Sequence, residues 1–195
     1  MNAGSDALIP SFEVSARVDV DLARISVPPR SVLFTKDGLM DNHFYAYLGP
    51  ISWGEYDEIF AYEGELLAEA DSRSVTPEEF EEVIYELDDE GALGNLDAGI
   101  ASPVYALYAF GCFPFTSCRG HPGERGTGDC PKVVFWCPKR LGRAVVAAAT
   151  SSGVGLTNEE TTNGDGLMVS GKNVNDVRRF SQALRQLDKG GARKE

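Results

Sequence analysis

The residues best suited to chemistry are concentrated in one stretch, 111–137. It contains all four cysteines of the chain and one of its two histidines, His121. A glycine-rich loop, 118–129, separates two apolar runs, and the second run is rich in Val, Phe and Trp, which favour strands. We therefore predict a β-hairpin with residues 112–117 and 130–137 as its strands.

Cysteine and histidine ligate zinc, and the stretch offers four candidate ligands, Cys118, His121, Cys130 and Cys137. In an extended strand Cys130 and Cys137 lie roughly 20 Å apart, at ~3.3 Å per residue, so these two thiols do not share a metal. The remaining set of Cys118, His121 and Cys130 predicts a three-ligand zinc site. Its fourth position is open to water, substrate or a nearby acid, as in catalytic zinc centres.

The hairpin also predicts a register. If Cys112 is opposite Cys137, the same antiparallel register sets Cys118 opposite Pro131 at the loop end. Cys112 and Cys137 then lie at the end away from the loop, where they are expected to be small buried core residues.

A second interpretation of the same residues is a nucleophilic thiol. Cys118 stands at the predicted strand end, and Gly120 allows backbone N–H groups to approach a ligand. Arg119 and His121 place positive charge beside the thiol, which favours the thiolate. The catalytic candidates are thus Cys118 and His121, and the alternative is that all four cysteines are structural.

The loop also suggests anion binding. Its glycines and two arginines, Arg119 and Arg125, could surround an anion with backbone amides and guanidinium groups. Neither the P-loop nor the dinucleotide-binding fingerprint is present, so a merely flexible loop is the alternative. Candidate ligand-binding residues are Ser117, Arg119, Gly120 and Arg125.

Composition limits the partners. The net charge of −12, from 30 acids against 18 basic residues, argues against nucleic acid. It is compatible with a basic protein partner, or with a local site for an anionic small molecule. No apolar run is long enough to span a membrane, and the N-terminus lacks the pattern of a signal peptide, so a cytoplasmic location is expected.

The N-terminal part is predicted to be rich in strands. Apolar residues alternate with polar ones over 13–20, and a second strand is expected over 31–35, ending at an Asp-Gly turn with 43–47 as its partner. The stretch 49–70 fits either a helix or irregular structure. We divide the chain into a flexible leader (1–11), one domain (12–188, with 12–75 rich in strands) and a flexible tail (189–195).

A helix is predicted to begin at Thr76-Pro77, because Thr is a good N-cap, Pro suits the first helical position and Glu79 can close a capping box. Its apolar residues have helical spacing and are expected to be buried: Phe80, Val83, Ile84 and Leu87. The opposite face carries a dense set of acids, which is either a solvated surface or a docking surface for a basic partner.

The remaining elements define the fold class. A buried helix is expected from Ser102-Pro103 to Gly111, and others follow Pro138 and an Asn cap at 173 or 175. Short strands are predicted at 154–157 and 167–170. Helices that alternate with pairs of strands indicate an α+β two-layer sandwich with a mostly antiparallel or mixed sheet and helices on one face.

The segment Thr116-Ser117-Cys118-Arg119-Gly120-His121, followed by a strand and a helix, resembles a Thr-Ser-Cys-x-Gly-His segment of uncharacterised bacterial and phage proteins. Over about 112–187 the chain is also distantly similar to the wybutosine-synthesising tRNA methyltransferase family, whose motif reads Ser-Cys-Ser-Gly-Arg. That resemblance implies a ligand pocket lined by Ser117, Cys118 and Gly120, with S-adenosylmethionine as cofactor.

Three functional hypotheses follow. The first is a small metal- or thiol-dependent enzyme that acts on an anionic small molecule or nucleotide, with zinc as the candidate cofactor. The second is an acidic binding or inhibitory protein, similar to an immunity protein, in which the cysteine loop is structural. The third is a methyltransferase-like protein.

Overall fold

The computed structural model describes residues 9–35, 38–39, 48–88, 92–120, 130–161 and 164–190. Its first elements are β1 (Val18–Asp19), α1 (Arg30–Leu33), β2 (Phe34–Thr35), β3 (Gly38–Leu39), α2 (Trp53–Arg73) and α3 (Pro77–Leu87). They are followed by α4 (Ala101–Phe110), β4 (Phe113–Cys118), β5 (Lys132–Trp136), α5 (Lys139–Ser152), β6 (Gly155–Glu159), β7 (Gly166–Ser170) and α6 (Val174–Lys189).

The main sheet is mixed. Its strand order is β1-β6-β7-β5-β4. The pairs β6–β7, β7–β5 and β5–β4 are antiparallel, and the edge strand β1 is parallel to β6. The separate hairpin β2-β3 is antiparallel and pairs Thr35 with Gly38. The predicted α+β class with a mixed sheet is confirmed.

The helices form the second layer. α4, α5 and α6 contact the sheet, α6 packs on both α4 and α5, α2 packs on α4, and α3 packs on α2. The main core lies between sheet and helices and joins buried sheet residues (Val133, Phe135, Leu156, Leu167, Val169) to buried helix residues (Leu107, Phe110, Leu141, Val145, Phe180, Leu184). A second core fills the space between α2 and α3. No helix among the described residues is long and apolar enough to cross a membrane.

The expectation that 12–75 is rich in strands is wrong for its described residues. Trp53–Arg73 is a helix of 21 residues, started by a capping box in which Ser52 and Glu55 satisfy each other's backbone N–H groups. The strand expected over 31–35 is mostly the short helix α1, and only Phe34–Thr35 pairs as a strand. Its expected partner at 43–47 lies outside the described residues.

Helix α3 begins where the sequence predicts, and the Thr76 side chain accepts a hydrogen bond from Glu79 N–H. The Glu79 carboxylate, however, accepts from Val75 N–H at 2.8 Å rather than from the N-cap, so the capping box is shifted by one residue. Phe80 and Ile84 are buried, as predicted. Val83 and Leu87 are only half-buried, because the core beneath α3 is narrow.

Helix α4 begins two residues earlier than the Ser102-Pro103 start that the sequence predicts. Its N-cap is Ile100, which offers no side-chain acceptor, and the missing acceptor is Glu63 from α2. Glu63 accepts hydrogen bonds from the backbone of Gly99 (2.8 Å) and Ser102 (3.3 Å) and from the Ser102 hydroxyl. At the other end Gly111 is left-handed (φ 94°), as predicted.

The C-terminal predictions agree closely with the structure. Helix α5 ends at a left-handed Gly153, and strands β6 and β7 cover the predicted strand positions. Asn173 caps α6 through a hydrogen bond from Asp176 N–H. Its inward residues Val177, Phe180 and Leu184 are fully buried.

Candidate functional site

The predicted cysteine hairpin is present, and it contains a β-bulge. Strands β4 and β5 are antiparallel, and Phe113 pairs with Trp136, which is the register predicted from the cysteines. Between Pro114 and Thr116 the register shifts by one, so that Cys118 is opposite Lys132 instead of Pro131. Phe115 is the additional residue, and its ring stacks on Trp136 with the centroids 3.9 Å apart.

The bulge decides which face of the sheet each side chain occupies. Val133 and Phe135 belong to the core between the sheet and the helices, whereas Val134 and Trp136 are buried but are not part of that core. Paired side chains of an antiparallel sheet share a face, so Ser117, opposite Val133, faces the helices. Cys118, opposite Lys132, is on the other face. Without the bulge Cys118 would face the helices and Ser117 would lie on the other face of the sheet.

Cys118 is half-buried at the end of β4, and its sulfur is contacted by the backbone. The Gly120 N–H donates a hydrogen bond to Cys118 Sγ at 3.3 Å. Gly120 has a φ of 87°, a left-handed conformation that a residue with a side chain adopts only with strain. The turn after β4 therefore depends on glycine and directs an N–H group at the thiol.

Arg119 anchors this turn to helix α3. Its guanidinium is buried, donates to the Glu81 carboxylate and lies over the Tyr85 ring, 4.4 Å from the centroid. Its backbone N–H donates to Asp97 Oδ2 at 3.4 Å. The cationic group of Arg119, a predicted anion ligand, thus lies against Glu81 and Tyr85, and its role in binding an anion stays a prediction.

More negative charge surrounds Arg119. Burial raises the pKa of the Asp88 carboxyl, the nearby Asp97 carboxylate raises it further, and Arg119 opposes both effects. The Arg119 Nε and Asp88 Oδ1 are buried, and neither has a hydrogen-bond partner among the described residues. The guanidinium therefore pairs with Glu81 and partly opposes the rise in the pKa of Asp88 at the junction of α3 and β4.

The other predicted site residues are divided between described and undescribed segments. Cys130 is half-buried near the start of β5, and Cys112 and Cys137 are buried. None of the four cysteines forms a disulfide. His121 and Arg125 lie outside the described residues, so their roles stay predictions.

The zinc site also stays a prediction, because its proposed ligand His121 lies outside the described residues. Within the described part of the chain, no group of three or more His, Cys, Asp and Glu side chains is arranged to hold a metal ion.

Sequence reasoning missed a buried polar cluster centred on Glu63. Arg178 Nε donates to Glu63 Oε2 at 2.8 Å, and its NH2 group donates to the Phe60 carbonyl at 2.9 Å. Burial raises the pKa of Glu63, against the influence of Arg178 and Ser102. The signal was available, since Glu63 has the helical spacing of the apolar residues Tyr56, Leu67 and Ala70.

A comparison with protein-family models, curated proteins and solved structures finds no match to this chain. The resemblance of the Cys118 segment to other families therefore remains an expectation from the sequence.

Proposed function

We propose that the chain is a small thiol-dependent enzyme that acts on an anionic small molecule, with Cys118 as its nucleophile. The β-bulge at Phe115 is the observation that carries this proposal. Bulges occur frequently beside active sites, where they redirect a side chain. Here the bulge turns Cys118, the last residue of β4, away from the core between the sheet and the helices. In the register without the bulge, Cys118 would face that core.

The neighbourhood of Cys118 supports this role. The Gly120 N–H group points at the sulfur and donates a hydrogen bond to it. Lys132, directly opposite Cys118 and on the same face, supplies positive charge for an anionic substrate. The pairing of Arg119 with Glu81 fixes the backbone on which Cys118 stands.

The proposed chemistry is addition of the Cys118 sulfur to a carbonyl carbon of the substrate: the C–S bond forms as the C=O π bond opens, and the oxygen takes up the proton released by the thiol. His121 follows three positions later and is the group proposed to accept the thiol proton. Arg125 and Lys132 would bind the anionic part of the substrate. In this proposal Ser117 and Arg119 support the site without contacting the substrate.

The two alkylating reagents iodoacetate, which is anionic, and iodoacetamide, which is neutral, test the proposal together. Mass spectrometry measures how fast each reagent modifies Cys118, and the quantity compared is the iodoacetate rate divided by the iodoacetamide rate. We expect this ratio to exceed the ratio for the same cysteine in the unfolded chain, and to fall in Lys132→Gln. Lys139→Gln, which removes an exposed cation beyond the far end of β5, is the control. A ratio equal to that of the unfolded chain would contradict the preference for anions.

A specific observation favours the second candidate, an acidic binding protein. Two large apolar residues are exposed in the described part of the chain, Tyr85 at 63% and Val75 at 77%, and they lie on or just before α3. They accompany the exposed acids Glu78, Glu82 and Glu86, and an aromatic residue surrounded by charge is typical of interfaces.

Titration of a lysine-rich peptide into the wild type and into Tyr85→Ala tests this second candidate function, with weaker binding by the variant as the expected result. Equal binding by the two proteins would contradict it.

A further inference from the structure

A basic cleft lies at the other end of the β4–β5 hairpin from Cys118. It is formed by the first turns of α5, the segment around Leu22 and the C-terminal part of α6 near Leu187, and its volume is about 770 Å³. Three cationic residues line it, Lys139, Arg140 and Arg143. Cys118 is paired with Lys132 at the start of β5, whereas α5 follows Trp136 at the end of β5. The length of β5 therefore separates this cleft from the thiol.

The arginines of the cleft differ from most other arginines of the protein. Seven arginines in the described part of the chain form ion pairs with carboxylates: Arg17, Arg24, Arg73, Arg119, Arg178, Arg179 and Arg185. Arg140 and Arg143 are exposed and have no ion-pair partner among the described residues. Lys139 donates to the Ala23 carbonyl at 3.0 Å, which leaves its charge unneutralised.

This charge is unexpected in a chain with a net charge of −12. Acids outnumber basic residues, and yet three cations within five consecutive positions line one concave surface. A cleft lined by charge of one sign concentrates its field and attracts ions of the opposite sign. Two guanidinium groups, with their planar sets of donors, match the oxygens of a phosphate particularly well.

The cleft also has an apolar part. Leu22, Ala144 and Leu187 are half-buried and line it beside the cations. Pockets for small molecules typically combine such apolar surface with a few polar groups that fix orientation. A ligand that satisfies both parts has a phosphate group at one end and an apolar or planar group at the other.

We propose that this cleft binds a small phosphorylated molecule. The phosphate contacts Arg140, Arg143 and Lys139, and the apolar part of the ligand lies against Leu22 and Leu187. This is a second site, independent of the one proposed at Cys118.

Calorimetric titration tests the proposal with inorganic pyrophosphate, AMP and adenosine as probes. The wild type is expected to bind pyrophosphate and AMP, and to bind adenosine much more weakly. In the double variant Arg140→Gln/Arg143→Gln both dissociation constants should rise at least about tenfold, since each lost charge-assisted hydrogen bond weakens binding by roughly that factor. Both arginines are exposed, so the thermal midpoint of the variant should match that of the wild type.

The control is Lys172→Gln, which removes one exposed cation at the opposite end of β5 and should leave both constants within about twofold. Cys118→Ser should also bind normally, which separates this proposal from the one at the thiol. Absence of pyrophosphate and AMP binding, or equal binding by the double variant, would overturn the proposal. Stronger binding of a single-stranded oligonucleotide than of AMP would overturn it in favour of a nucleic-acid surface.

Discussion

At the scale of single residues, Tyr56 shows how burial of a polar group influences stability. It is 2% exposed, its hydroxyl is hydrogen-bonded to Ser181 Oγ at 3.0 Å, and burial raises its pKa to about 12. A phenol with a raised pKa stays neutral in the folded protein at a pH where it ionises in the unfolded chain, so its contribution to stability is lost as the pH rises through that interval.

We therefore expect the free energy of unfolding to fall between pH 10 and about 12, by up to ~1.4 kcal/mol per pH unit from this residue. Tyr56→Phe should remove that part of the slope, because phenylalanine does not titrate. Urea unfolding of both proteins at several alkaline pH values measures it. Identical slopes would show that Tyr56 ionises in the folded protein as it does in the unfolded chain.

Glu63 joins three elements through one carboxylate. It extends from α2, receives the first N–H groups of α4 and pairs with Arg178 of α6, and it is fully buried. Removal of this acceptor leaves Arg178 Nε and the backbone N–H groups of Gly99 and Ser102 without their partner, while Arg178 keeps its bond to the Phe60 carbonyl. The network is therefore a condition for docking α2 against α4 and α6.

Glu63→Ala should accordingly destabilise the fold by ~3–5 kcal/mol, the typical effect of breaking a buried ion pair. Glu58→Ala, an exposed position of the same helix, is the control and should change stability by no more than ~0.5 kcal/mol. Chemical unfolding at neutral pH gives both values. A small effect at Glu63 would mean that water replaces its hydrogen bonds.

At the scale of elements, helix α3 presents its apolar residues unequally to the core. Ile84 is 2% exposed, whereas Leu87 is half-buried near the helix end. Ile84→Ala should cost ~2–5 kcal/mol and Leu87→Ala distinctly less, because a half-buried side chain leaves a smaller cavity. Glu82→Ala on the exposed face should stay within ~0.5 kcal/mol, and equal losses at Ile84 and Glu82 would contradict this orientation.

The contrast between α3 and α2 shows which elements can be predicted from sequence. Thr76, Pro77 and Glu79 are local signals, and a cap functions whatever surrounds the helix. Helix α2 has a weaker signal because Glu63, a carboxylate, occupies its apolar face and is stabilised only by residues distant in sequence. Contacts between helices therefore decided the structure where the local pattern was ambiguous.

The site shows the same division. The two strand-prone runs predicted the antiparallel hairpin, and the register that sets Cys112 opposite Cys137 predicted the pairing of Phe113 with Trp136. The bulge at Phe115 depends on the stacking of its ring on Trp136, a contact that no local pattern indicates. Arg119 was predicted to bind a ligand, but its partners Glu81 and Asp97 come from distant parts of the chain.

At the scale of the whole molecule, the charges are unevenly distributed. Acids cover α3, and Arg119 links that helix to the strand end that carries Cys118. The basic cleft at the start of α5 lies at the opposite end of β5. An acidic protein that keeps local positive charge in a concave site can bind an anion there while its remaining surface repels polyanions.

The rate of thiol modification at each cysteine tests the central claim, that the bulge turns Cys118 away from the core and makes it the reactive thiol. The native protein is treated with a neutral alkylating reagent, before and after chelation of metal, and each cysteine is quantified by mass spectrometry. We predict that Cys118 reacts faster than the buried Cys112 and Cys137 after chelation, and that bound metal, if present, protects it beforehand. Equally slow modification of all three cysteines in both samples would contradict the account.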